Sequence, residues 1–250
     1  MKRPYAIQNG NNVPLSSPLI PTPFVPYQCA DCRHVNVFCR AEPDLIKKYL
    51  ENTPFEYAGN TVLIYISDFT NTDVCPFGDC GIVIQAKYKD IVGGYFLFEY
   101  EDQDYSIAAG RELWGYPKKY ADISMVEESN KVTAKAIKNG RETIRLELDL
   151  TAEYTRAMSS ASFVPHLLLH TVPNGDKPGI FSQRVMTRDT TPDFQTRMIK
   201  SYEAKICLRN VGVDPLDEFA SMEVLYGIYQ VGEYFATEEN GWAKVIDTII

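Results

Sequence analysis

The sequence predicts an α+β, mainly β protein: an antiparallel sheet closed into a barrel or cone around a ligand cavity, with few helices. Three observations carry this. TVLIYIS (61–67) and GGYFLFEY (93–100) are nearly continuous apolar runs, as expected of strands buried on both faces. Residues 131–150 alternate around Asn139-Gly140 as a hairpin does. Turns recur at short intervals, and only one segment reads clearly as a helix.

In chain order, residues 1–27 carry prolines at 4, 14, 18, 21, 23 and 26, which favours extended backbone and excludes helix. This segment is expected to be an arm lying on the domain or on a neighbouring subunit, because Leu15, Leu19, Ile20, Phe24 and Val25 need burial. Residues 28–250 are expected to form one domain. Glu42-Pro43-Asp44 is a helix entry, and Leu45, Ile46, Tyr49 and Leu50 give one apolar face. GIVIQAKY (81–88) begins as a buried strand and then alternates. In the hairpin Val132, Ala134 and Ala136 share a face, as do Ile144, Leu146 and Leu148. PHLLLHTV (165–172) and SYEAKICL (201–208) are further strands. Residues 215–234 read two ways: Leu216, Phe219, Met222, Glu223 and Tyr226 have helical spacing, whereas VLYGIYQV reads as a strand.

The chain has 250 residues, 45% of them hydrophobic and 23% charged, with a net charge of −8. That composition supports a buried core. No clustered basic run exists for a phosphate backbone, so nucleic acid is not an expected partner. No apolar run approaches the ~18 residues of a membrane span. The opening MKRPYAIQNG lacks the apolar stretch of a secretion signal, and the cytoplasm is the expected location. Six cysteines, at 29, 32, 39, 75, 80 and 207, are then expected as reduced thiols. Cys29-x-x-Cys32 with Cys75 and Cys80 could be read as a zinc site, but a CxxC pair arises readily by chance in a chain with several cysteines, and no metal is expected. His34, His166 and His170 are expected as packed or half-exposed side chains, the last two on a strand.

The most unusual stretch is GRELWGYPKK (110–119). It resembles the nucleophile segment of the acetoacetate decarboxylase family, close to GREL-x-x-YPKK. The proline-rich opening, Cys39-Arg40-Ala41-Glu42, Val172-Pro173-Asn174 and Pro215-Leu216-Asp217 have counterparts at similar spacing. The resemblance implies that Lys118 forms an imine with a ketone substrate, with no metal or organic cofactor, in a closed homo-oligomer. A lysine at its reference pKa of about 10.4 is neutral in only about one molecule in 2,500 at pH 7. Lowering that value by about three or four pH units costs the charged form about 4–5.5 kcal/mol. The family is itself the standard example of a lysine activated by a neighbouring cation. Here burial is expected to dominate, with Lys119 contributing less, because adjacent residues on a strand face opposite ways.

The family pattern also implies two cavity glutamates and an arginine. Asp79-Cys80-Gly81 stands where the pattern has Glu-Ser-Gly, and Tyr65 takes the other glutamate's place. The arginine falls near Arg33, although keeping Asn36 and Arg40 in register puts Cys32 there. Glu99 interrupts an apolar strand where the pattern has methionine, and is either a cavity group or the solvent end of the strand. Lys118, Lys119 and Asp79 are therefore the expected catalytic residues. Arg33, Tyr65, Glu99 and Tyr116 are the expected substrate contacts, in a cavity to which Trp114, Tyr226 and Tyr229 also contribute. Three readings follow: a Schiff-base decarboxylase of a small β-keto acid, with Asp79 closer to the Lys118 nitrogen than any arginine; a Schiff-base aldolase or dehydratase acting on pyruvate or a related α-keto acid; and a non-catalytic ligand-binding barrel.

Overall fold

A computed structural model describes residues 13–14, 17–20, 25–72, 75–154 and 163–250. Leu15 and Phe24 of the expected arm lie outside the described residues. Ile20 is buried against Ala108 and Ala109, Val25 is buried, and Leu19 is exposed.

The first four strands are β1 (Tyr27–Arg40), β2 (Glu56–Phe69), β3 (Phe77–Tyr88) and β4 (Ile91–Glu101), with helix α1 (Pro43–Leu50) between the first two. Pro43 opens α1, and Ile46 and Leu50 are buried by its apolar face, each worth about 1.5–3 kcal/mol. After β4 come a short helix α2 (Asp104–Ala109), a π-helical turn (Gly110–Trp114) and β5 (Lys118–Tyr120). Strands β6 (Asp122–Glu128), β7 (Lys131–Lys138) and β8 (Arg141–Glu153) form a meander. Its β7–β8 turn is Asn139-Gly140, at φ 52° and 73°, the left-handed pair such a hairpin needs. Strands β9 (His166–Pro173), β10 (Ile180–Arg188), β11 (Phe194–Leu208), β12 (Glu223–Ala236) and β13 (Lys244–Thr248) complete the sheet, with a short helix α3 (Glu238–Gly241) before the last. In the ambiguous region Leu216–Phe219 is a short 3₁₀ turn with both end residues buried, and the strand begins at Glu223.

The fold is mainly β, as expected, but the sheet is not closed into a barrel. Among the described residues its thirteen strands run β13-β10-β9-β4-β3-β2-β1-β12-β11-β8-β7-β6, with β5 on β4. The sheet rolls over itself, and β6 covers a face of β2 and β3 with Ile123 and Met125, so its edge is not paired with β13. One face of β1–β4 packs Val35, Ile64, Ile82 and Tyr100 against Ala134, Leu146 and Leu148 of the β7–β8 hairpin. The opposite face carries Asn36, Tyr65, Asp79 and Glu99 into a cavity. Cover on both faces explains why 61–67 and 93–100 are apolar without alternation.

Strand β4 is shared. Gly94 and Tyr95 pair in parallel with β9, while Glu99, Tyr100 and Glu101 pair in parallel with β5. A register shift opposite Ile82 and Val83 skips Leu97. This bulge puts Phe96 and Glu99 on the same face although an odd number separates them.

Candidate active site

The site is a pair of rows across the sheet. In one, Asn36, Tyr65, Gly81, Glu99 and Lys118 are successive partners across β1 to β5. In the next, His34, Ser67, Asp79 and Glu101 are partners. Gly81 leaves a gap in the first row: a Cβ there would sit 3.1 Å from the Tyr65 ring and 2.5 Å from the Phe98 carbonyl. Through that gap the Tyr65 hydroxyl reaches both Asp79 Oδ1 and Glu99 Oε1, at 3.1 Å each.

The motif around Lys118 has an equally local reason. A Cβ on Gly110 would lie 2.3 Å from Lys118 Cδ and 2.5 Å from Cε, so glycine is what lets the lysine stem pass the π-helical turn. Arg111 Nη1 donates to the Lys118 carbonyl at 3.1 Å, tying the turn to β5. The Lys118 nitrogen then enters a cavity of about 390 Å³, lined mainly by aromatic and aliphatic side chains such as Leu63, Phe96, Trp114 and Phe163. It lies 5.1 Å from the centre of the Tyr116 ring.

Three acids meet that nitrogen. Glu101 hydrogen-bonds it directly, Glu99 Oε1 is 3.4 Å away and Asp79 Oδ2 is 3.9 Å away. The cluster is nearly dry: relative exposure is 8% for Lys118, 2% for Glu99 and 0% for Glu101. One outer oxygen on each glutamate, Oε2, is buried with no hydrogen-bond partner among the described residues. Burial pulls the Lys118 pKa down, but Glu101, Glu99 and Asp79 together outweigh it and hold the ammonium above its ordinary value. Burial likewise pushes the acids up, against the opposing pull of Lys118. Asp79 is raised, Glu99 is raised well above the carboxylate range, and Glu101 is raised to about 7. An ammonium with three ionised carboxylates would carry two excess negative charges in a dry pocket, which favours keeping protons on part of the cluster.

This corrects the expectation of a depressed Lys118 pKa. Lys119 does not act on it either. It faces the other side of the strand and pairs with Asp214, which also accepts from the Tyr100 hydroxyl at 2.8 Å. Arg33, expected at the cavity, lies outside the lining. Alternation along β1 turns His34 and Asn36 inward, leaving Arg33 to donate from Nε to Asp68 at 3.1 Å. Cys32 is buried beside Cys29 and Cys75, whereas Cys80 sits in the main core, so these four cysteines do not converge. Tyr65, Tyr116 and Trp114 line the cavity; Tyr226 and Tyr229 do not. Tyr226 stacks on Phe38, and the Tyr229 hydroxyl donates to Glu127.

Two site residues were not anticipated. Glu101 follows Glu99 by two, the strand period, so extending the β4 reading by one residue would have put it on the same face. Arg188 ends β10, a strand that the sequence reading did not identify, and its guanidinium lies 4.1 Å from the centre of the Trp114 ring. Two histidines are also more than packing. His34 Nδ1 bonds Ser67 Oγ at 2.8 Å and His166 Nδ1 bonds the Tyr116 hydroxyl at 2.7 Å. Burial lowers His34 to about 4 and His166 to about 3, so both rings are neutral at physiological pH.

A rolled β-sheet with a buried lysine and three acids at the end of an apolar pocket defines a lysine-centred ligand cavity. The acetoacetate decarboxylase family profile matches residues 13–237, and the chain belongs to that family. It is 34% identical over 119 residues to an acetoacetate decarboxylase of Paraburkholderia phytofirmans, 46% of this chain and 45% of the relative. It is 35% identical over 131 residues to acetoacetate decarboxylase 3 of Mesorhizobium japonicum, 51% of this chain and 47% of that one. The matches thus span about half the length of these curated relatives. Among solved structures, an acetoacetate decarboxylase superposes with a TM-score of 0.82 at 19% identity, covering 96% of each chain. An acetoacetate decarboxylase-like enzyme from Sphingomonas wittichii RW1 gives 0.73 at 18% identity, covering 93% of this chain and 96% of that one. MppR, an enduracididine biosynthesis enzyme complexed with the condensation product of pyruvate and imidazole 4-carboxaldehyde, gives 0.71 at 15% identity, covering 94% and 95%. At such identities the likeness is one of fold.

Proposed function

We propose that this protein is a Schiff-base decarboxylase of a small β-keto acid. The observation that carries the reading is the Lys118 nitrogen inside an apolar pocket, hydrogen-bonded to Glu101 with Glu99 and Asp79 within 4 Å. Glu101 accepts a proton from the ammonium, and the freed amine attacks the substrate ketone. Loss of water gives the iminium. The bond to the carboxylate breaks, its electrons move into an enamine, and carbon dioxide leaves. A protonated acid of the cluster, Glu99 or Asp79, returns a proton to carbon. Water then hydrolyses the iminium, releasing the ketone and Lys118. Tyr65 orients Asp79 and Glu99. Neither a metal nor an organic cofactor enters this scheme.

The reading extends to one domain behind an N-terminal arm, in a cytoplasmic homo-oligomer. A second reading, a Schiff-base aldolase or dehydratase acting on an α-keto acid, is favoured by one feature. Besides Lys118, the described lining of the cavity carries Arg188, which can hold a carboxylate that is kept. Cyanoborohydride trapping and peptide mass spectrometry test the shared step: label on Lys118, lost in Lys118→Ala, is expected. Acetoacetate is expected to release carbon dioxide, and pyruvate with an aldehyde to give no condensation product. The reverse product pattern moves the protein to the aldolase reading, and absence of any imine leaves a ligand-binding protein.

A further inference from the structure

The acids and the arginine of the cavity keep different company. Its acids gather at Lys118, whereas Arg188 enters among aromatic side chains. Arg188 Nε donates to the Gly241 carbonyl at 2.7 Å, and its guanidinium lies on Trp114 and faces the Tyr116 and Tyr234 hydroxyls. Among the described residues no carboxylate forms an ion pair with it. A partly buried guanidinium without an anion is costly to keep, and its planar fork matches a carboxylate.

Size adds a second argument. A cavity of about 390 Å³ lies in the range of roughly 300–1,000 Å³ that buries drug-sized ligands, whereas acetoacetate has only seven non-hydrogen atoms. A carboxylate that must leave as carbon dioxide belongs near the iminium, where the acids repel it. Only an anion that survives the reaction profits from a firm arginine clamp, because uniform binding does not accelerate the step.

We propose that Arg188, backed by Trp114 and flanked by Tyr116 and Tyr234, is an anion subsite for a retained carboxylate. The preferred substrate is then a keto acid longer than acetoacetate, with that carboxylate several bonds from the reacting carbonyl. This rests on the Schiff-base reading of Lys118, but the subsite itself is tested without an imine.

Calorimetric titration with hexanoate and with hexanamide compares one shape with and without charge. Hexanoate is expected to bind at least 30-fold more tightly, and Arg188→Gln to remove that preference while the folded protein keeps its affinity for hexanamide within about threefold. In parallel, cyanoborohydride trapping on Lys118 is expected to favour 5-oxohexanoate over 2-hexanone by a similar factor, again through Arg188. Equal hexanoate binding by parent and variant overturns the proposal, as does equal loss of both ligands. Should Arg188→Gln fail to fold, Arg188→Lys decides, since losing the fork is expected to cost hexanoate three- to tenfold, and no loss refutes. If hexanoate binding depends on Arg188 and no ketone is ever trapped, the subsite stands and the Schiff-base reading falls.

Discussion

Glu101→Gln is the perturbation that separates two ways of tuning Lys118. The neighbouring-lysine scheme depresses the pKa by like-charge repulsion. The geometry instead puts Lys119 on the opposite face, paired with Asp214, and surrounds Lys118 with acids. Glu99 at 3.4 Å and Asp79 at 3.9 Å are each worth about 4–5 kcal/mol when ionised, at an effective dielectric of about 20. Glu101, raised to about 7, is only part-ionised at neutral pH and does not exert its full charge. An opposite charge in contact moves a pKa by about 1–3 pH units, or about 1.4–4 kcal/mol. Glu101→Gln should therefore lower the Lys118 pKa by that amount. In the assay, the rate of cyanoborohydride trapping of a neutral ketone is followed against pH. The rising limb, which reports amine deprotonation, should move to lower pH by about 1–3 pH units, even if the plateau falls through loss of a proton acceptor. Lys119→Ala should move it by less than about half a pH unit, since that charge is already neutralised on the far face. A limb that stays put in Glu101→Gln and rises in Lys119→Ala would refute this reasoning and restore the lysine–lysine mechanism.

Gly110→Ala puts a methyl 2.3 Å from Lys118 Cδ, well inside the usual 3.5–4 Å contact. The displaced nitrogen should lose about 100-fold in trapping rate, while stability, read by thermal melting, changes by no more than about 3 kcal/mol; parental trapping would show the stem has another path. His166 is neutral in the fold, its pKa lowered to about 3 against about 6.5 unfolded, so its stabilising contribution is complete above pH 6.5 and lost as pH falls through 3. Between pH 6.5 and 4 that amounts to about 3 kcal/mol, and denaturant titrations should show His166→Asn losing less stability over that span. Parallel curves would mean that the ring is protonated in the folded protein. Glu101, raised to about 7, acts oppositely, stabilising below about pH 4.5 and ceasing to do so as pH rises through 7, so only the difference between variant and parent isolates the histidine.

Local chemistry was legible in the sequence wherever period and turn type coincided. The Asn139-Gly140 hairpin lies where alternation and turn type put it, the helix starts at Pro43, and the continuous apolar runs are strands. The lysine segment was legible because glycine and arginine at 110 and 111 serve it directly, one by vacancy and the other by a hydrogen bond to the Lys118 carbonyl. Closure was not legible, since whether a curled sheet pairs its edges or lays one strand over a face depends on distant partners such as Ile123 on β2 and β3. Arg33 was misplaced because one residue along a strand inverts its side, and the irregularity between Cys29 and Cys32 ends before it. Arg188 was missed because it enters from β10, about 70 residues beyond Lys118 in sequence, and no local pattern marks a strand end as a cavity wall.

A lysine whose ammonium is held by acids is compatible with imine chemistry once charge is followed through the steps. Converting an ammonium and a ketone into an iminium and water leaves the positive charge in place, so the acids that stabilise the one also stabilise the other. Their cost falls on the moment of attack, when the amine must be neutral, and Glu101 in direct contact offers the shortest route for that proton. The later step is more sensitive. Decarboxylation turns the iminium into a neutral enamine, and fully ionised acids would hold the cation back. In the proposed decarboxylation, burial would offset this by raising all three carboxyls, Glu99 well above its usual range, which favours an uncharged part of the cluster when the bond breaks. Under the same scheme the protonated groups would stand beside the enamine as donors, and returning the proton would restore the cation that the remaining carboxylate prefers. On the proposed reading, crowding acids around a dry lysine weakens the electron sink only to the extent that they are ionised, and it would bias the enamine toward protonation over capture of an electrophile.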